Sequence, residues 1–386
     1  MNNQHIFFSL LITLFFHNTH FPVSARMFPD PSSIPGWLSS HAPPGVWDSY
    51  RNFTGCQRGK TYEGLSKIKD YFHHFGYIPN APPSNFTDDF DEALEAAVKI
   101  YQKNFNLNVT GELDDATLSQ IVRPRCGIAD IINGTTAMNS GKSDTNTTAT
   151  SSTKLKFHTV GHYTFFDGKP RWPEGTTELT YAFDPGNNLE DVVKNVFARA
   201  FSRWSEVTTI NFNETTSFSD ADVKIGFYTG NHGDGEPFDG VLGTLAHAFS
   251  PTDGRFHLDG AEDWVASGDV TTASLSTAVD LESVAVHEIG HLLGLGHTSV
   301  KEAIMYPTIT AKTRKVELKD DDIAGVQNLY GSNPHYTGTT TISSRETSNG
   351  GMHVGSMWGL VILLVVGVAH LVLCRVEFKL YLPLYD

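Results

Sequence analysis

The sequence predicts an α/β (α+β) domain over residues 157–332, preceded by an all-α unit of three helices. Three observations carry this prediction. Residues 64–122 repeat their apolar side chains at helical spacing. After residue 157, stretches that alternate apolar and polar side chains are interleaved with amphipathic ones, the pattern of a sheet with helices packed on it. Between the two regions, residues 133–153 hold almost no large apolar side chain and read as a flexible, cleavable linker.

Residues 26–56 are rich in Pro, Ser and Gly and read as irregular. "LSKIKDYFHHFGYI" places Leu65, Ile68, Phe72 and Phe75 on one helical face. "FDEALEAAVKIYQKNF" does the same with Phe90, Leu94, Ala97, Val98, Tyr101 and Phe105. "DDATLSQIV" is a third, short helix, with Asp114 as N-cap and Pro124 as the stop. In the larger region "ELTYAF", "VKIGFY" and "TLAHAF" read as strands. "LEDVVKNVFARAFSRWSEV" is a helix with Val193, Val196, Phe197, Ala200, Phe201 and Trp204 inward. Helices are also expected over 281–293 and 319–330, the second ending at Gly331.

The 386 residues suffice for one large domain and a smaller one. A net charge of −15 and no basic stripe argue against a nucleic-acid partner. Residues 6–16 are mostly apolar and precede Val23, Ser24 and Ala25, a small-x-small pattern, so residues 1–25 read as a secretory signal peptide. Asn-x-Ser/Thr sequons at Asn52, Asn85, Asn108, Asn133, Asn146 and Asn213 suit that compartment as glycosylation sites. After a small, polar stretch over 333–356, residues 357–374 carry no charge. They read either as a membrane span or as the removed tail of a GPI signal. The three cysteines, Cys56, Cys126 and Cys374, form no disulfide framework. Either Cys56 bridges Cys126, or Cys126 is a working thiol.

The chemistry concentrates in "HEIGHLLGLGH", residues 287–297. His287 and His291 are one helical turn apart, so both imidazoles can reach one ion. Glu288 stands beside them as a general base. Gly294 lets the helix end and the chain turn, and His297 then arrives as a third ligand. Three nitrogen ligands leave a fourth position open, as a catalytic zinc requires. Met305 follows and can floor the site. His232, Asp234, His247 and His257 offer three imidazoles and a carboxylate, a set suited to a closed structural zinc.

His-Glu-x-x-His-x-x-Gly-x-x-His with a later Met resembles the metzincin pattern, and "PRCGIAD" (124–130) narrows the resemblance to the matrix metalloproteinases, or matrixins. The chain looks most like the plant members, since no hemopexin-like domain follows the catalytic one. The resemblance implies a twisted mixed sheet with an active-site helix, and a propeptide over 26–156. That propeptide would comprise a three-helix, peptidoglycan-binding-like unit over about 60–123, a cysteine switch over 124–130 and a linker over 131–156. It implies Cys126 as zinc ligand of a latent state, Arg125 and Asp130 as an ion pair shaping the switch, and the four residues from His232 to His257 as structural-zinc ligands. It also implies at least one calcium, held by Asp239, Gly240, Leu242, Thr244, Asp259 and Glu262. Substrate would add as an antiparallel strand beside "TLAHAF", an edge strand, bonding the main chain of Leu245 and Ala246. A specificity pocket would lie between Ser283 and Val284 on one side and Pro307 to residue 309 on the other. The mature chain would begin near residues 161–163, its new end meeting an Asp within 320–322. The implied activity is zinc-dependent cleavage of extracellular proteins by a membrane-tethered enzyme. The competing reading is a non-catalytic cell-surface or cell-wall binding protein that keeps its metal sites. An intact Glu288 speaks against it, since binding needs no base.

Overall fold

The computed structural model describes residues 45–82, 84–138 and 162–338. The expected signal peptide, Asn146, Cys374, most of the linker and the apolar segment 357–374 lie outside the described residues.

The first unit is helical, as its periodicity predicts: α1 (Ser66–His74), α2 (Glu92–Asn104) and α3 (Asp115–Ile121). Asp91 caps α2 by accepting from Leu94 N, and Asp114 caps α3 by accepting from Thr117 N. Each such cap contributes about 1 kcal/mol. Leu65, Ile68, Phe72, Leu94 and Tyr101 are wholly buried in the common core. Residues 48–53, expected to be irregular, form a 3-10 helix whose Tyr50 packs edge-on against Tyr71.

Next come the two-residue strand β1 (Arg125–Cys126) and a hairpin of β2 (Ile131–Ile132) and β3 (Thr135–Thr136). The hairpin corrects the linker boundary. Asn133 and Gly134 adopt positive φ and turn the chain, and Ala137 and Met138 are buried instead of loose.

The second unit contains β4 (Glu178–Phe183), α4 (Asp191–Ser205), β5 (Asn211–Glu214), β6 (Val223–Tyr228), β7 (Thr244–Ala248) and β8 (Arg255–Asp259). Two short strands, β9 (Trp264–Val265) and β10 (Val279–Asp280), precede α5 (Leu281–Leu292), and α6 (Asp320–Tyr330) closes the domain. A six-stranded sheet runs in the order β1-β7-β8-β6-β4-β5, mixed in direction, with β7 antiparallel to β8. The six residues of α4 expected to point inward are all buried, with Phe201 stacked on Tyr181 at 4.4 Å. Every residue of α5 is buried, which suits a helix apolar on nearly every side. β5 and β8 were not foreseen.

One expectation is overturned outright. β7 is not an edge in this chain, because β1 pairs with it in parallel, Arg125 opposite Thr244 and Cys126 opposite Ala246. Gly127 permits this approach, for a Cβ there would lie 2.7 Å from the Thr244 methyl.

Candidate active site and metal centres

Asp280 caps α5, accepting from Ser283 N at 2.8 Å and from the Ser283 hydroxyl at 2.6 Å. His287 and His291 then project from one side of the helix. Between them Gly290 leaves room for the Met305 sulfur, which a Cβ would strike. At the far end the Trp172 indole donates to Leu292 O at 2.9 Å. Gly294, at φ +98, reverses the chain where a side chain would meet Pro170 O, and His297 swings in beside the other two.

Each ring is oriented through Nδ1. His287 faces Ile304 O at 2.7 Å, His291 faces Leu295 O at 2.8 Å, and His297 faces an Asp130 oxygen at 2.9 Å. None of these acceptors can donate, so Nδ1 carries the proton and Nε2 the lone pair. The three Nε2 atoms converge, His291 lying 3.2 Å from each of the others, with Cys126 Sγ 3.4 Å from His291 Nε2. Zn–N bonds of about 2.05 Å and Zn–S of about 2.3 Å require tetrahedral edges of about 3.3–3.6 Å. The donor set therefore fits zinc in size and chemistry. Burial holds the imidazoles below their ordinary pKa, hence neutral, as ligands must be. Burial and the Glu288 carboxylate push the Cys126 thiol upward. A dication shared with the imidazoles is what would favour a thiolate there.

Glu288 is fully buried, and among the described residues neither carboxylate oxygen has a well-formed hydrogen bond, although the Cys126 thiol faces it. Burial raises its pKa to about 8. A buried carboxylate without a well-formed hydrogen bond beside a metal-type donor set marks a functional group rather than a structural one. Met305 is buried beneath the site, and its turn is fixed by Asp322, which accepts from Ile304 N and Met305 N at 2.8 and 3.0 Å.

Residues 125–127 are wedged between two segments of chain. Arg125 N donates to Gly243 O and Gly127 N to Ala246 O on one side, and Cys126 N to Pro307 O on the other. The Arg125–Asp130 pair forms at 2.7 Å with both side chains wholly buried. Phe75 lies 3.6 Å under the guanidinium. Asp130 is held well below the usual carboxylate range by Arg125 and His297, against its own burial. Cys56 and Cys126 are both free thiols, which removes the bridge between them.

Beside Cys126 a cavity is lined by Ser283 and Val284 on one side, Pro307 and Ile309 on the other, and also by Leu245 and Lys315. Burial lowers the Lys315 ammonium to about 8, and its Nζ sits 5.4 Å from the Tyr306 ring centre.

A second donor set lies on the sheet. His247 on β7 faces His257 on β8 in register, and the loop before β7 brings His232 and Asp234. One Asp234 oxygen is 2.8 Å from the facing nitrogen of each imidazole. A third acidic group surrounds the loop 239–244. Asp239 accepts from Thr244 N, Asp259 from Gly240 N and Glu262 from Leu242 N. The other Glu262 oxygen is buried and, among the described residues, unpartnered. Burial, then the Asp259 and Asp239 charges, push Glu262 well up. Carboxylates that raise one another's pKa, with carbonyls nearby, are an oxygen set suited to calcium.

Comparison with known proteins agrees with this geometry. The matrixin model matches residues 171–331, and that of a peptidoglycan binding domain matches residues 61–121. The chain is 55% identical to Metalloendoproteinase 2-MMP of Arabidopsis thaliana over 361 residues, 91% of this chain and 95% of the relative. It is 54% identical to Metalloendoproteinase 1 of Glycine max over 306 residues, 78% of this chain and 93% of the relative. It is 35% identical to Matrix metalloproteinase-20 of Homo sapiens over 252 residues, 64% of this chain and 44% of the relative. With its zinc-fitting histidine cluster on α5 and the turn that follows it, and its helical unit in front, the chain belongs to the matrixin family of zinc metalloendopeptidases.

Proposed function

We propose that the chain is made as a latent endopeptidase for the extracellular side of the cell membrane, kept silent by Cys126 as fourth ligand of a zinc held by His287, His291 and His297. The observation that carries this is the closure of the three-imidazole donor set by Cys126 over Glu288, whose carboxylate has no well-formed hydrogen bond among the described residues. Bound there, zinc supplies Lewis acidity, making a water more acidic and polarising a peptide carbonyl. Glu288 takes the proton from the attacking water and delivers it to the leaving amine. Peptide substrate occupies β7 in place of β1, bonding Leu245 and Ala246 through main chain and filling the cavity at Ser283 and Pro307. Because β1 runs parallel to β7 while substrate runs antiparallel, the switch segment presents its peptide bonds to Glu288 in reversed sense.

Five of the six sequons, at Asn52, Asn85, Asn108, Asn133 and Asn213, sit at exposed positions, as glycosylation requires. No helix among the described residues is long and apolar enough to cross a membrane; the proposed tether is residues 357–374. Release of intact cell-surface protein by a GPI-specific phospholipase is expected for the lipid anchor, and resistance for a span. The His162 and Tyr163 amides already reach Asp321 at 2.7 and 2.9 Å, so a mature end near residues 161–163 would lie against that carboxylate. After removal of residues 1–160 the protein is expected to hydrolyse a fluorogenic peptide. Zinc-loaded protein that stays inert towards varied peptides would refute the proposal.

His232, Asp234, His247 and His257 would hold a structural zinc, and the 239–262 carboxylates a calcium. His247→Ala should cost one zinc per chain. It should also lower Tm by on the order of 10 °C, since a folding-coupled metal site is opened. An unchanged calorimetric Tm would sink that assignment. Calcium at about 100 times its Kd should stabilise by ~2.7 kcal/mol. Chelating calcium is therefore expected to lower Tm in the parent protein and not in Glu262→Gln.

A further inference from the structure

The three imidazoles donate through Nδ1 to acceptors of two kinds. His287 and His291 use carbonyls of nearby chain, Ile304 O and Leu295 O. His297 uses the Asp130 carboxylate, which comes from the opposite unit, 167 residues away in sequence, with both side chains fully buried. That carboxylate is held firmly. Arg125 grips both of its oxygens, at 2.7 and 3.0 Å, and the Tyr77 hydroxyl donates to one at 2.8 Å. Tyr77 in turn accepts from the Asn104 amide at 3.2 Å.

We propose that Asp130 is a positioning residue of the zinc site: the propeptide lends a carboxylate that orients His297 and strengthens its Nε2 as a donor. Zinc is therefore held more tightly while the propeptide is docked, apart from any contribution of Cys126. The inference rests on the zinc reading given above. A carboxylate behind a metal-binding imidazole raises its basicity and fixes its tautomer, and losing it commonly weakens the metal 10–100-fold. The effect is large when the pair is dry, as here. Departure of residues 124–130 leaves His297 alone among the three without its Nδ1 partner.

The test uses the full chain carrying Cys126→Ser and Glu288→Ala, which removes the thiolate and prevents self-cleavage. Zinc affinity is measured at equilibrium against a chelator. Adding Asp130→Asn is expected to weaken zinc by roughly 10–100-fold. Adding Tyr77→Phe, which takes one hydroxyl from the same carboxylate without touching His297, is expected to change it far less. In parallel, nitrogen-15 NMR reads the three Nδ1–H protons. The His297 proton should lie far downfield in the background protein and lose that position on Asp130→Asn, while those of His287 and His291 stay. If Asp130→Asn does not fold, Arg125→Gln/Asp130→Asn removes the buried cation along with the carboxylate and serves in its place. Unchanged zinc affinity, or three protons shifting together, overturns the inference and leaves the zinc reading intact. A background protein that binds no zinc at all overturns both.

Discussion

Glu288→Ala, in protein stripped of its propeptide, is expected to retain its zinc and lose turnover by roughly 10²–10⁴-fold, the usual contribution of a positioned base. The expectation follows from where the side chain sits. Glu288 lies one residue past His287 on a helix buried on all sides, and it makes no bond that holds the fold together. Its removal deletes no ligand, since the cluster consists of His287, His291, His297 and Cys126. In the full chain it should not lower Tm either, because a buried carboxyl group without a well-formed hydrogen bond is a cost to the folded state. Metal analysis, calorimetry and peptide hydrolysis on one preparation separate the possibilities. Retained activity would refute the assignment of the base. Lost zinc together with lost activity would mean that Glu288 supports the metal instead.

Cys126→Ser is the second large effect. The full-length variant is expected to cleave peptide, or itself, where the parent is silent. A metal–thiolate bond contributes several kcal/mol, and each ~1.4 kcal/mol is about a tenfold change in the open population. A serine hydroxyl at that position is a far poorer ligand. The gain should still fall short of full activation. The main-chain bonds of Arg125, Cys126 and Gly127 and the buried Arg125–Asp130 pair survive the substitution and keep β1 on β7. Persistent, complete latency would show that this strand pairing, and not the thiol, silences the site.

Much of the site was legible in the sequence because its chemistry is local. Two histidines at i and i+4 must share a helical face, and a glycine just past the helix must let the chain turn. So the sequence alone groups His287, His291 and His297 with Glu288. The helices of the first unit were equally open to reading, since their apolar spacing is a property of single segments. What escaped depends on pairing between distant segments. The two residues of β1 are too few to show alternation, and their partner strand lies more than a hundred residues on. The Asp130–His297 bond crosses two units. Lys315 enters the pocket from a loop with no periodicity. β5, with a single half-buried apolar side chain among four residues, carries almost no hydrophobic signal.

The parallel seating of β1 has a thermodynamic consequence. A competitor that the enzyme could hydrolyse would be spent on first contact, and silence would end with it. A segment laid in with reversed polarity survives each visit to the catalytic groups. On the proposed reading, opening and closing of this protein would be a reversible equilibrium, returning to rest whenever the perturbation is withdrawn. Commitment would then require the chain to be severed elsewhere, so that the displaced strand loses its high local concentration and diffuses away.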